Sequence, residues 1–130
     1  MKMNKRLLVL VVLATLALLV LPACGISNDI KGAGDVGKEF MAALKNGDNQ
    51  ASWDMVTSDI KDEIGSYDNW VTFTAPRTFE NFTLNSTNIE NDKATLEGEA
   101  TLGADTYKVT LILYKSGDSW QVAGLDFTLK

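Results

Sequence analysis

The sequence predicts an α+β domain in which N-terminal helices pack on a curved antiparallel four-stranded meander, preceded by a signal-peptide helix. Three observations carry this expectation. Apolar residues recur at helical spacing between Val36 and Ile64. From Thr78 onward the apolar period falls to two. Short turn signals, Asn91-Asp92, Gly103-Ala104-Asp105 and Ser116-Gly117-Asp118, separate the alternating runs. Strands joined by such short turns pair with their chain neighbours, which makes a meander the simplest topology. A sheet with one apolar face must be covered, and the preceding helices are the available cover.

The elements follow in order. Asp35 is the expected cap of a first helix, whose stripe is Val36, Phe40, Met41, Ala43 and Leu44 and whose stop is Asn46-Gly47. Asp48 or Asn49 caps a second helix running to Gly65, with Ala51, Trp53, Met55, Val56, Ile60 and Ile64 on a broad apolar face. The stretch Ser66 to Phe73 fits either a short third helix capped by Ser66 or Asp68, or a strand. Ala75-Pro76 breaks the chain. In the strand region, Ala94, Leu96, Gly98, Ala100 and Leu102 alternate with Thr95, Glu97, Glu99 and Thr101. Tyr107, Val109, Leu111 and Leu113 share one face of the next strand, and Ser119 to Lys130 closes the sheet.

The N-terminus reads as an address. Lys2, Lys5 and Arg6 precede an apolar run from Leu7 to Val20 whose only polar member is Thr15. This is the charged and then apolar pattern of a secretory signal. The run is shorter than the roughly 20 residues a spanning helix uses, and Pro22 interrupts it. Leu21-Pro22-Ala23-Cys24 resembles the bacterial lipobox. That resemblance implies a diacylglyceryl group on the Cys24 sulfur, cleavage before Cys24 and attachment to the membrane through acyl chains. A plain signal peptide and an uncleaved anchor are the alternatives. Cys24 is the only cysteine, and an unpaired thiol is ill suited to an oxidising compartment, which argues for lipidation. Gly25 follows, where the lipoprotein pattern has Asp for retention at the inner membrane. The expected address is the outer face of the plasma membrane, or the outer membrane in a diderm host. The division expected is residues 1–23 signal peptide, 24–34 lipidated cysteine and flexible tether, and 35–130 folded domain. Extended, the Gly-, Ser- and Asn-rich tether would reach about 35 Å.

Charge and composition exclude several classes. Removing residues 1–23 takes three of the 12 basic residues and none of the 17 acidic ones, which leaves a net charge of −8. Such a surface repels phosphate backbones, so nucleic acid is not an expected partner. The chain has no histidine, which excludes Ser-His-Asp and Cys-His catalysis and imidazole zinc sites. No glycine-rich phosphate loop is present, and neither a cofactor nor a metal is expected. Ser58-Asp59-Ile60-Lys61 and Lys115-Ser116-Gly117 fit two motifs of penicillin-binding enzymes. The middle motif fails, because Ser66-Tyr67-Asp68-Asn69 has the wrong spacing, and Lys115-Ser116-Gly117 reads as a hairpin turn.

One acidic residue stands apart. If the last strand runs without a bulge, Trp120, Val122, Gly124 and Asp126 share a face, and Asp126 in a pocket would be a candidate general base. A bulge at Ala123-Gly124 would reverse the faces, bury Leu125, Phe127 and Leu129 and expose Asp126. The three alternating hydrophobes favour the bulge. Trp53, Trp70, Tyr107 and Trp120 are candidate pocket residues, with core packing as the competing role of each.

Asn46-Gly47-Asp48, Ala51, Ser58, "NDKATLEG" and the closing Lys115-x-Gly117-x-x-Trp120-x-Val122 resemble the nuclear transport factor 2-like superfamily, also called SnoaL-like or cystatin-like, in its small bacterial lipoprotein branch. The resemblance covers Asp35 to Lys130 and consists of packing and turn motifs. It implies a cone, a curled sheet around a long helix, often with a pocket at its mouth. The superfamily contains isomerases and dehydratases as well as binding modules, so the fold does not choose the function. The expectation is a non-enzymatic, lipid-anchored envelope module for a small apolar ligand or a partner protein. The alternative is a SnoaL-like isomerase or dehydratase with Asp126 as base. The superfamily often pairs sheet to sheet, so a homodimer is also open, with Ile112 as an outward apolar residue.

Overall fold

The computed structural model describes residues 32–130, and the first of these are already helical. Helix α1 covers 32–46. It takes in Gly32, Ala33 and Gly34, which composition assigned to the tether, and it puts Asp35 inside the helix instead of at its cap. The cause is tertiary. Ala33 is fully buried, and a Cβ on Gly32 would stand 3.2 Å from Cδ1 of Trp120. Packing against the sheet outweighs the poor helix propensity of two glycines. Cys24, the segment 1–23 and the tether up to residue 31 lie outside the described residues.

Gly47, at φ 68°, ends α1 in the left-handed conformation that glycine accepts without strain. The single second helix expected from its continuous apolar face is two helices, α2 (Asn49–Asp54) and α3 (Ser58–Ile64). The break falls at residues 55–57 because they pair with the sheet. Val56 forms a parallel bridge with Val122 and is fully buried. Thr57 then caps α3, its hydroxyl accepting from the N–H of Ile60. The ambiguous stretch is helical: α4 (Tyr67–Thr74) is capped by Ser66, whose Oγ accepts from the N–H of Asn69 at 3.2 Å. A 3-10 turn, Ala75–Arg77, follows with Pro76 in its first positions, where a missing N–H costs nothing.

The sheet is a meander in the order β1 (Asn81–Glu90), β2 (Lys93–Leu102), β3 (Asp105–Ser116) and β4 (Ser119–Leu129), with every pair antiparallel. One face is apolar in rows that cross the strands. Leu84, Gly98, Val109 and Phe127 are successive partners, and so are Ile89, Ala94, Leu113 and Val122. Phe40, Met41 and Leu44 of α1 are buried over this face and share its core with Leu96, Leu111 and Val122. Burying each such side chain contributes about 1.5–3 kcal/mol. α1 comes close enough that a Cβ on Gly37 would lie 2.1 Å from Cδ1 of Leu96.

Two bulges shape the sheet. Asn85 is the extra residue between the Leu84–Gly98 and Ser86–Glu97 pairs. Ala123 is the extra residue between Leu113–Val122 and Ile112–Gly124. Each bends its strand and switches which residues face the core. In β4 the switch carries Leu125 and Phe127 onto the packed side with Trp120 and Val122, whereas Asp126 is exposed opposite Thr110. Leu129, the third of that series, is 57% exposed at the strand end.

Candidate ligand-binding cleft

The linker 55–57 fixes α3 against β4. The N–H of Thr57 donates to the carbonyl of Val122 at 2.9 Å, and the N–H of Val122 donates to the carbonyl of Met55 at 2.8 Å. The pairing ends there, immediately before the Ala123 bulge. α3 and α4 continue beside β4 without further ladder contacts, and a cleft of about 270 Å³ opens between the three elements. Ile60 and Ile64 of α3 form one wall, and Trp70 and Phe73 of α4 another. The β4 side is Ala123, Gly124 and Leu125. Glu63 is the single charged residue of the lining. The volume lies just below the range of small-molecule sites, about 300–1,000 Å³, and suits a ligand smaller than a drug.

A polar network holds the aromatic wall. Nε1 of Trp70 donates to Oγ of Ser52 at 2.9 Å, and that hydroxyl donates to the carbonyl of Asn49 at 3.1 Å. Thr74 Oγ1 donates to Oδ1 of Asn49 at 2.7 Å. Ser52 and Thr74 are the buried polar residues among those described, and both serve to lock α4 onto α2. Trp70 stacks on Phe73 with centroids 5.4 Å apart, so the wall has one fixed orientation.

A smaller hollow of about 150 Å³ lies farther along β4, lined by Pro76, Arg77, Phe79, Tyr107 and Phe127. Phe79 packs edge-on against Tyr107 at 5.7 Å and tilted against Phe127 at 5.1 Å. A wider groove of about 560 Å³ runs between α1 and β1, with Lys38, Ala42, Phe82 and Leu84 in its lining. It is open along its length and has no enclosing third element, so it desolvates a small ligand less than the α3–α4–β4 cleft does.

The aromatic residues singled out from sequence part company here. Trp70 is fully buried and forms the cleft wall. Tyr107 belongs to the smaller hollow. Trp53 lies behind Trp70 at 5.8 Å and carries Nζ of Lys61 over its ring at 5.4 Å. Trp120 is 7% exposed at the far end of β4 beside Gly32, and its Nε1 has no hydrogen-bond partner among the described residues. Asp126 does not share the face of Trp120. It sits on the outer side of the sheet, where Oγ1 of Thr128 donates to its Oδ2 at 3.1 Å. Ser58 opens α3, and Gly117 lies in the β3–β4 turn at φ 62°.

Sequence reasoning did not single out Ile60, Ile64, Phe73 and Leu125 as lining, since each reads as ordinary core by periodicity. It also passed over Arg77, although this is the only arginine after residue 6. Among the described residues, no group of three or more His, Cys, Asp or Glu is arranged to hold a metal. No helix among them is long and apolar enough to cross a membrane.

This architecture is the nuclear transport factor 2-like α+β fold, and solved structures carry it with little sequence identity. An NTF-2 like protein of unknown function from Silicibacter pomeroyi DSS-3 aligns with a TM-score of 0.62 at 14% identity, over 81% of this chain and 98% of its own. A putative NTF2-like transpeptidase from Campylobacter jejuni aligns with a TM-score of 0.56 at 16% identity, over 70% and 96%. An NTF2-like protein of unknown function from Cytophaga hutchinsonii ATCC 33406 gives 0.52 at 10% identity, over 75% and 89%. No family model matches the sequence, and no curated protein matches it.

Proposed function

We propose that this chain is a lipid-anchored cell-envelope module that binds a small apolar ligand in the α3–α4–β4 cleft. The observation that carries the reading is the cleft itself: aliphatic and aromatic walls from two helices, a locked Trp70, and a bulge of small residues opposite. Such a recess holds a ligand by excluding water, and its few polar groups set orientation. The anchor rests on the charged and apolar N-terminal pattern and on the Leu21-Pro22-Ala23-Cys24 motif. An enzymatic reading would have to work with Glu63 as the one carboxylate lining the cleft, because Asp126 is on the other side of the sheet.

Two measurements test the proposal. Cells expressing the chain are labelled with a radioactive fatty acid: label on the protein that disappears in Cys24→Ser supports the anchor, and label absent from the parent overturns it. Native mass spectrometry of protein purified from the envelope is expected to show a bound small molecule, lost in Ile64→Trp, which enlarges an aliphatic wall residue of the cleft. A parent that carries nothing, or an Ile64→Trp variant that retains its ligand, overturns the cleft as the site.

A further inference from the structure

Arg77 is the one arginine among the described residues, and it follows α4, whose Trp70 and Phe73 line the larger cleft. Its guanidinium carbon lies 3.9 Å from the centroid of the Phe73 ring, which lines the larger cleft. Its Nη1 donates to the carbonyl of Phe73 at 2.5 Å, fixing the side chain over the end of α4. The same residue lines the smaller hollow. Both hollows lie along β4, with Leu125 lining one and Phe127 the other, two residues apart on the same face of the strand.

Arg77 is half-buried, and among the described residues it forms no ion pair with a carboxylate. A partly desolvated cation without a counter-charge is unusual, because its hydration is reduced and nothing ionic replaces it. One donor is used by Phe73, and a guanidinium has five. Those left fit a carboxylate in bidentate geometry. Glu63 lines the α3 side of the cleft and repels an anion there, whereas Arg77 is stacked on the Phe73 ring of the α4 wall and offers a cation on that side.

We infer that the cleft takes a small anionic amphipath, with an apolar chain between α3, α4 and the Ala123 bulge and a carboxylate on Arg77. This rests on the ligand-binding reading above and names the ligand class. At about 30 Å³ for each water-sized group, the 270 Å³ cleft has room for about nine such groups, enough for the chain of an eight-carbon acid.

Octanoate and 1-octanol are therefore matched probes that differ in charge. The full chain is placed in phosphatidylcholine nanodiscs and titrated with each, reading the NMR shifts of the Trp70 indole and the Leu125 amide. Octanoate is expected to bind at least tenfold more tightly than octanol. Arg77→Gln should bring octanoate to the octanol level and leave octanol unchanged, and Arg77→Lys should restore part of the difference. Affinities are referred to the free probe concentration measured after partition into the bilayer, so the octanoate-to-octanol ratio compares binding to the protein alone. If Arg77→Gln also loses octanol, Arg77→Lys decides: octanol binding recovered with a preference for octanoate supports the inference, and recovery without it overturns the inference. Equal affinities in the parent, or an unchanged ratio in Arg77→Gln, overturn the anionic class while the cleft stands. If neither probe moves the Trp70 and Leu125 resonances, the cleft reading fails with it.

Discussion

The indole Nε1 of Trp70 donates to Oγ of Ser52 across 2.9 Å, and both residues are fully buried. The bond joins α4, which carries the cleft wall, to α2, and it makes a serine in a helix interior necessary. Ser52→Ala leaves the indole N–H buried without an acceptor, at a cost of about 1–3 kcal/mol. The expected result is a lower urea midpoint at unchanged slope. Trp70→Phe should cost less in the Ser52→Ala background than in the parent, because the donor it removes has already lost its partner. Equal costs in both backgrounds would mean that the bond contributes nothing.

Gly98 and Gly34 separate two roles of one residue type. A Cβ on Gly98 would stand 1.8 Å from the Thr83 carbonyl oxygen, on backbone held by the β1 bulge. Gly98→Ala therefore forces β1 and β2 apart and is expected to cost about 3 kcal/mol or more. Gly34 lies inside α1 with nothing within 4 Å of its would-be Cβ. Gly34→Ala is expected to stabilise by about 0.5–1 kcal/mol, through the entropy of the unfolded chain and helix propensity. Thermal melts of the two variants should move in opposite directions.

Asp126→Asn is expected to be silent. The carboxylate is exposed and accepts a hydrogen bond from the Thr128 hydroxyl two residues on. Substitutions at such positions usually change stability by less than about 0.5 kcal/mol, and octanoate affinity should not move. A tenfold change in affinity or turnover would place Asp126 in the site despite its position on the outer face.

The sheet was legible because period-two alternation and glycine turns are local signals, and each survives in the register of β2 and β3. The Ala123 bulge was legible too, since Trp120 and Val122 occupy one phase and Leu125 and Phe127 the other. The same phase change exists in β1, where Phe82 and Leu84 precede the bulge and Ile89 follows it. Its polar neighbours Asn85, Ser86 and Asn88 hid it. The break between α2 and α3 was not legible from the apolar face, because Val56 is buried either way. What interrupts the helix is a backbone pairing with Val122, 66 residues later in the chain. Arg77 is harder still. Its setting depends on where the end of α4 lands against β4, and no local pattern encodes that.

The pairing of residues 55–57 with Val122 makes Thr57 a hinge between the sheet and the cleft. Its N–H is tied to β4 and its hydroxyl caps α3 by accepting from Ile60 at 3.4 Å. Thr57→Val keeps the shape and the backbone bond and removes only the cap, at a cost of about 0.5–2 kcal/mol. α3 has seven residues and no buried residue of its own, so little else holds its first turn. The loss should appear as local opening, not as unfolding of the sheet. Amide exchange is expected to quicken at Ile60 and Lys61 while Leu111 and Leu113 keep their protection. Because Ile60 and Ile64 form the α3 wall, ligand affinity should fall in parallel, chiefly through a faster off-rate. Faster exchange in α3 with unchanged affinity would show that the ligand does not use this wall.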